Sequence, residues 1–183
     1  MPRAIFMDRD GTVSEEIGYM YHAGLYKPFP WTGQAIRQIN DSGMKAVIIT
    51  NQSGISRGYF TEKTIDEVHA VLDQELARWN AHLDGIYYCP HAPVDACDCR
   101  KPKTGMLLRA EREMGIDLQG SYMIGDRYLD IQMAHAVGAR GVLVLTGDGQ
   151  MEIENRKDEP IQPHYVAENL LAAVQAILRG DAG

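Results

Sequence analysis

A doubly wound parallel α/β sheet is the fold this sequence predicts, and two patterns carry the prediction. Five short apolar runs end in polar or glycine punctuation and lack the strict alternation of half-exposed strands. Between them lie amphipathic segments with helical spacing. Strands that alternate with helices imply right-handed crossovers, which place helices on both faces of the sheet in three layers.

The first run is Ala4–Met7, followed at once by Asp8, Arg9, Asp10, Gly11 and Thr12. A short amphipathic stretch with Ile36 and Ile39 then ends near Gly43, a suitable left-handed terminator. Residues 45–50 form the second run. The longest helical segment covers residues 61–80, with Ile65, Val68, Val71, Leu72, Leu76 and Trp79 expected on one side. Gly85–Cys89 is the third run. A helix over residues 106–114 closes at Gly115, residues 121–125 form the fourth run, and a helix over residues 129–137 closes at Gly138. The fifth run is residues 141–145. Residues 147–163 are polar, contain two prolines and read as a surface excursion before a last helix over residues 166–178.

A chain of 183 residues matches one domain with a full core, here residues 1–183. The formal net charge of -7 argues against a general nucleic-acid or anionic-membrane binder, so an anionic substrate needs local cations or a metal. No apolar run approaches the roughly 18 residues of a membrane span. Asp8, Arg9 and Asp10 interrupt any signal-peptide core, which leads us to expect a soluble cytoplasmic protein.

Ligands of such sheets bind beyond the carboxyl ends of the strands. Those ends carry Asp8-Arg9-Asp10-Gly11-Thr12, Thr50-Asn51-Gln52-Ser53, Cys89-Pro90-His91 and Gly125-Asp126-Arg127, and Arg100-Lys101 precedes the third long helix. Converging carboxylates repel one another, so Asp8, Asp10 and Asp126 call for a cation, and oxygen donors suit Mg2+. Thr50, Ser53 and Lys101 would hold and neutralise a phosphoryl group. Asp8 is then a nucleophile, and Asp10 a general acid and base. An EF-hand does not fit, because Val13 and Tyr19 stand where its glycine and glutamate belong. An ordinary Asp-Gly turn accounts for Asp10-Gly11 alone but not for Thr50, Lys101 and Asp126.

Asp8-x-Asp10-Gly11-Thr12, Thr50, Lys101 and Gly125-Asp126-x-x-x-Asp130, in that order, resemble the four motifs of the haloacid-dehalogenase-like phosphatases. The runs FMDRDGTV, GYMY, ITNQSGISRGYFT, CPH, CDCRKPKTGML and SYMIGDR resemble, within that superfamily, the bacterial heptose 1,7-bisphosphate 7-phosphatases and their histidinol-phosphatase relatives. The resemblance implies a Rossmann-like domain without a large cap, Mg2+-dependent phosphomonoester hydrolysis in heptose biosynthesis, and a bound Zn2+. It matches Asp8 to the nucleophile, Asp10 to the proton donor, and Thr50 and Lys101 to phosphoryl stabilisers. Asp8, Asp126 and Asp10, the last through its backbone carbonyl, match the Mg2+ ligands. Substrate contacts fall on Asp8, Arg9, Asp10, Glu16, Ile17, Gly18, Tyr19, Thr50, Asn51, Gln52, Ser53, Arg100, Lys101 and Arg127; Arg127 stands where the best-known members carry lysine.

Cys89, His91, Cys97 and Cys99 form a C-x-H-x5-C-x-C pattern. Three thiolates and an imidazole complete a tetrahedral Zn2+ site with no open position, so this zinc is expected to be structural. A zinc-stapled loop would fix Arg100 and Lys101, which directly follow Cys99. The expected protein is a monomeric phosphatase of small phosphorylated sugars. The competing readings are histidinol phosphate as substrate, a phosphoacceptor signalling domain, and a zinc-stapled binding module.

Overall fold

The computed structural model describes residues 1–182. Six parallel strands form one sheet in the order β3-β2-β1-β4-β5-β6. They are β1 (Ala4–Met7), β2 (Lys45–Asn51), β3 (Gly85–Cys89), β4 (Tyr122–Gly125), β5 (Arg140–Val144) and β6 (Tyr165–Ala167). The helices are α1 (Thr32–Asp41), α2 (Glu62–Ala77), α3 (Gly105–Met114), α4 (Tyr128–Ala136), α5 (Gly149–Asn155) and α6 (Leu170–Arg179).

The missing alternation in the strands has a direct cause. Ile5 and Met7 enter one core with Ile36, Ile39, Val68, Leu72 and Val174, so α1, α2 and α6 cover that face. Ala4 and Phe6 enter a second core with Leu107, Ala110, Met133 and Ala134, under α3 and α4. Every residue of β1 is buried, because both faces are covered.

Two elements depart from the sequence reading. Residues 147–163 are not only a loop, since α5 starts at Gly149. Residues 165–167 form an edge strand, and the last helix begins at Leu170, where Asn169 Oδ1 accepts a hydrogen bond from Ala172 N at 3.0 Å. Three residues are too few for periodicity to separate a strand from the start of a helix. Trp79 lies beyond the end of α2 and is exposed, its ring against Gly33. Between β1 and α1 the chain makes only a one-turn 3-10 helix (Ala23–Leu25), and among the described residues no large cap domain stands over the sheet.

Candidate active site

The chain leaves β1 toward β2 on one side, whereas β4 pairs with β1 on the other. This reversal opens a crevice beyond the carboxyl ends of β1 and β4. Asp8 and Asp126 each stand one residue past those ends, and Asp8 N donates to Ile124 O at 2.9 Å.

Asp8, Asp126 and Asp130 each present a carboxylate oxygen within 4.8 Å of the others, and all three residues are buried. Lys101 reaches them with Nζ 2.9 Å from Asp8 Oδ1 and 2.7 Å from Asp130 Oδ1. It also donates to Ile49 O at 3.2 Å. One ammonium does not balance three carboxylates. Burial, with Asp8 and Asp130 nearby, pushes Asp126 up to about 8. Burial also raises Asp130, with Asp8 adding to it and Lys101 opposing.

Asp126 Oδ2 accepts from Asp148 N at 2.9 Å, while the buried Oδ1 has no partner among the described residues. Three hard oxygen donors and an orphaned carboxylate oxygen fit a divalent cation such as Mg2+. Gly11 and Gly147, both at positive φ (+85° and +56°), close over the Asp126 carboxylate so tightly that a Cβ at either would collide with it.

Asp10 lies at the edge of this group. Its carboxylate accepts from Arg9 Nε at 3.1 Å, Arg9 Nη2 at 2.9 Å and Gln52 Nε2 at 2.9 Å. Gln52 Nε2 also donates to Thr50 Oγ1 at 2.9 Å, which links the ends of β1 and β2. A cavity of about 220 Å³ opens in front, with Asp8, Asp10, Thr50 and Lys101 in its wall. Glu16, Gly18 and Tyr19 line one side, and Asn51, Gln52 and Ser53 another. Arg100 and Arg127 add positive charge.

Two expected substrate contacts lie elsewhere. The Arg9 side chain is buried at 1% exposure and turned onto Asp10, because the nearest anion is its own neighbour. Ile17 packs partly buried against the main core. Gly54, Phe60 and Leu129 join the site without having been assigned to it from sequence, and Asp130, read from sequence only as the end of the fourth motif, joins the carboxylate cluster. The signal for Asp130 was its spacing from Asp126. That spacing places it in the first turn of α4, where Oδ2 accepts from Arg127 N at 3.3 Å.

Cys89, His91, Cys97 and Cys99 converge beside the cavity, one donor atom from each within 4.8 Å of the others. Cys89 Sγ lies 3.7 Å from Cys97 Sγ and 3.6 Å from His91 Nδ1. A tetrahedron with 2.3 Å zinc–sulfur bonds has edges of about 3.8 Å. Cys99 Sγ lies closer, at 3.0 Å from Cys89 Sγ and 3.2 Å from His91 Nδ1. It is therefore the number and chemistry of the donors, three thiols and an imidazole, that fit Zn2+. Arg100 Nη1 donates to His91 O at 3.2 Å, and Lys101 N donates to Asn51 Oδ1 at 3.0 Å. The loop thus ties both cations to the strand ends.

Two overlapping family models match the chain: Polynucleotide kinase 3 phosphatase over residues 10–135, and HAD-hydrolase-like over residues 98–173. The D-glycero-beta-D-manno-heptose-1,7-bisphosphate 7-phosphatase of Haemophilus ducreyi is 41% identical over 79% of this chain and 84% of its own. The chain belongs to the haloacid-dehalogenase-like phosphatases. A second phosphatase of this family, the D-glycero-D-manno-heptose-1,7-bisphosphate 7-phosphatase of Thermosynechococcus vestitus, is 39% identical over 97% of this chain and 96% of its own. The crystal structure of D,D-heptose 1,7-bisphosphate phosphatase from B. bronchiseptica, complexed with magnesium and phosphate, superposes with a TM-score of 0.90. It is 32% identical, with 97% of this chain and 99% of that one covered. Haloacid-dehalogenase-like phosphatases are hydrolases, and this chain is one; the signalling-domain and binding-module readings fall with that assignment. Among the described residues no helix is long and apolar enough to cross a membrane.

Proposed function

We propose that this phosphatase removes the 7-phosphate of D-glycero-D-manno-heptose 1,7-bisphosphate, a step toward nucleotide-activated heptose, through an aspartyl-phosphate on Asp8. The observation that carries the reading is the buried cluster of Asp8, Asp126 and Asp130, with Lys101 paired to Asp8 and Asp130, behind a cavity whose wall holds Asp8 and Lys101 together with Arg100, Arg127, Thr50 and Ser53. The relatives named for that substrate support the choice of sugar.

In this reading Asp8 attacks phosphorus, and the bond from phosphorus to the C7 oxygen breaks. Asp10 gives the leaving oxygen a proton and later takes one from the water that attacks the aspartyl-phosphate. The second displacement frees phosphate and restores the Asp8 carboxylate. Lys101 and Thr50 stabilise charge on the phosphoryl oxygens. Ser53 and Asn51 orient that group, while Glu16, Gly18, Tyr19, Gln52, Arg100 and Arg127 contact the sugar and its second phosphate. Mg2+ would be held by Asp8, Asp126 and the Asp10 carbonyl, and it supplies charge neutralisation for the anionic substrate. Zn2+ would be held by Cys89, His91, Cys97 and Cys99 and would order the loop that carries Arg100. The enzyme is read as a cytoplasmic monomer of one domain.

Phosphate release with Mg2+ from a panel of both anomers of heptose 1,7-bisphosphate and histidinol phosphate tests the reading. Heptose bisphosphate should give the highest kcat/KM, and Asp8→Asn should abolish turnover. Preference for histidinol phosphate would overturn the choice of substrate.

A further inference from the structure

The proposed reaction uses the Asp10 carboxylate twice, and a side chain outside the cavity holds it from behind. We propose that Arg9 is a positioning residue that fixes the plane of the Asp10 carboxyl group, so that its protonated form gives the proton to the leaving oxygen and the carboxylate left behind takes one from the attacking water. Arg9 donates from Nε to Asp10 Oδ1 at 3.1 Å and from Nη2 to Oδ2 at 2.9 Å. Two parallel bonds from a planar fork fix the plane of a carboxylate as well as its place. Gln52 Nε2 adds a third donor on Oδ2 at 2.9 Å.

The surroundings favour positioning over stabilisation. Arg9 is 1% exposed, and its Cζ lies 5.8 Å from the centroid of the buried Tyr26 ring. Its remaining nitrogen, Nη1, has no partner among the described residues. A sealed guanidinium with one unpaired nitrogen costs stability relative to an apolar side chain that fills the same volume. No apolar side chain would hold Asp10. The cavity wall includes Asp10 and Gln52 but not Arg9, so Arg9 acts on substrate only through its neighbour. Its backbone is pinned as well, since Arg9 O accepts from Val13 N at 2.9 Å and from Ser14 N at 3.0 Å. The guanidinium therefore has a fixed origin.

This inference rests on Asp10 as the proton donor, and the experiment separates the two claims. It compares kcat/KM for heptose bisphosphate with kcat/KM for p-nitrophenyl phosphate. That constant covers only the steps through leaving-group departure, and a nitrophenolate leaves without a proton whereas an alkoxide does not. Asp10→Asn should lower the alkyl-to-aryl ratio by about 100-fold or more. Arg9→Gln should lower it by about tenfold. Arg9→Lys, which keeps the buried charge but not the fork, should lower it by about threefold. An unchanged ratio in Asp10→Asn would refute the proton donor itself. A lowered ratio in Asp10→Asn with a wild-type ratio in the Arg9 variants, or equal losses on both substrates, would overturn the role of Arg9. If melting curves show that Arg9→Gln does not fold, the ratio in Arg9→Lys decides.

Discussion

Lys101 Nζ lies 2.7 Å from Asp130 Oδ1, closer than its 2.9 Å approach to Asp8 Oδ1. The lysine is shared between the first strand end and the first turn of α4, and its side chain is 2% exposed. Two carboxylates, with burial working against them, raise its pKa well above the usual lysine value, so it stays charged.

Removal of that ammonium leaves Asp8 and Asp130 facing one another in a sealed site. Lys101→Met should therefore cost about 3–5 kcal/mol of stability, the usual penalty for breaking a buried pair. Urea denaturation in the presence of chelator measures it. Turnover should fall below detection, and an unchanged denaturation midpoint would show that the pair does not hold the site together.

Metal binding should stabilise the folded chain, because it relieves the repulsion among Asp8, Asp126 and Asp130. At 100 times its dissociation constant Mg2+ adds about 2.7 kcal/mol, visible as a higher Tm. Asp126→Asn should lose most of that increment. Without metal the same variant should be no less stable than wild type, since it removes one of three crowded charges. A large loss of stability in chelator would mean that Asp126 is a structural carboxylate.

Zinc removal should act on substrate binding rather than on the chemical step. Arg100 is held by the carbonyl of His91, within the Cys-His loop. Cys97→Ser, or mild chelation with Mg2+ restored, should raise KM several-fold and leave kcat within about a factor of two, since Lys101 keeps its anchors on Asn51, Ile49 and Asp130 outside the Cys-His loop. Elemental analysis should find one zinc per chain. Unchanged kinetics in a verified zinc-free sample would reject the coupling.

Acid should weaken the fold partly through His69 on α2. Burial and the charge of Arg9 lower its pKa to about 4, from an unfolded value of 6.5. Between those values the unfolded chain binds more protons than the folded one, so stability falls as pH drops from about 6.5 to about 4. His69→Leu should flatten that part of the stability–pH curve. Its Nε2 has no partner to lose, so the variant should fold. A curve that keeps its wild-type slope would assign the acid sensitivity to other groups.

Much of the fold is legible from residue order. The runs at β1, β2, β4 and β5 are apolar on both faces because both faces are covered, whereas β3 at the sheet edge buries only Tyr87 and Cys89, and Gly43, Gly115 and Gly138 sit at positive φ just past α1, α3 and α4. Residues 165–167 are not legible, because so short an edge strand carries no period. The helix α5 hides behind polar residues, with only Gly149 and Glu152 buried along its length.

Residue types at the strand ends carry the parallel α/β sheet and the placement of Asp8, Asp10, Thr50, Lys101 and Asp126 at one edge, and the resemblance of those motifs to a known family carries the expectation of a phosphatase. Local chemistry sets each of these: a carboxylate after a buried strand, or a thiol two residues from an imidazole, has few uses. Only the tertiary structure decided that Lys101 is shared with Asp130 and that Arg9 faces Asp10 instead of the cavity. Those pairings depend on which strands are neighbours and on which way a turn throws a long side chain. Both follow from the packing of the whole sheet, which no local stretch of sequence encodes.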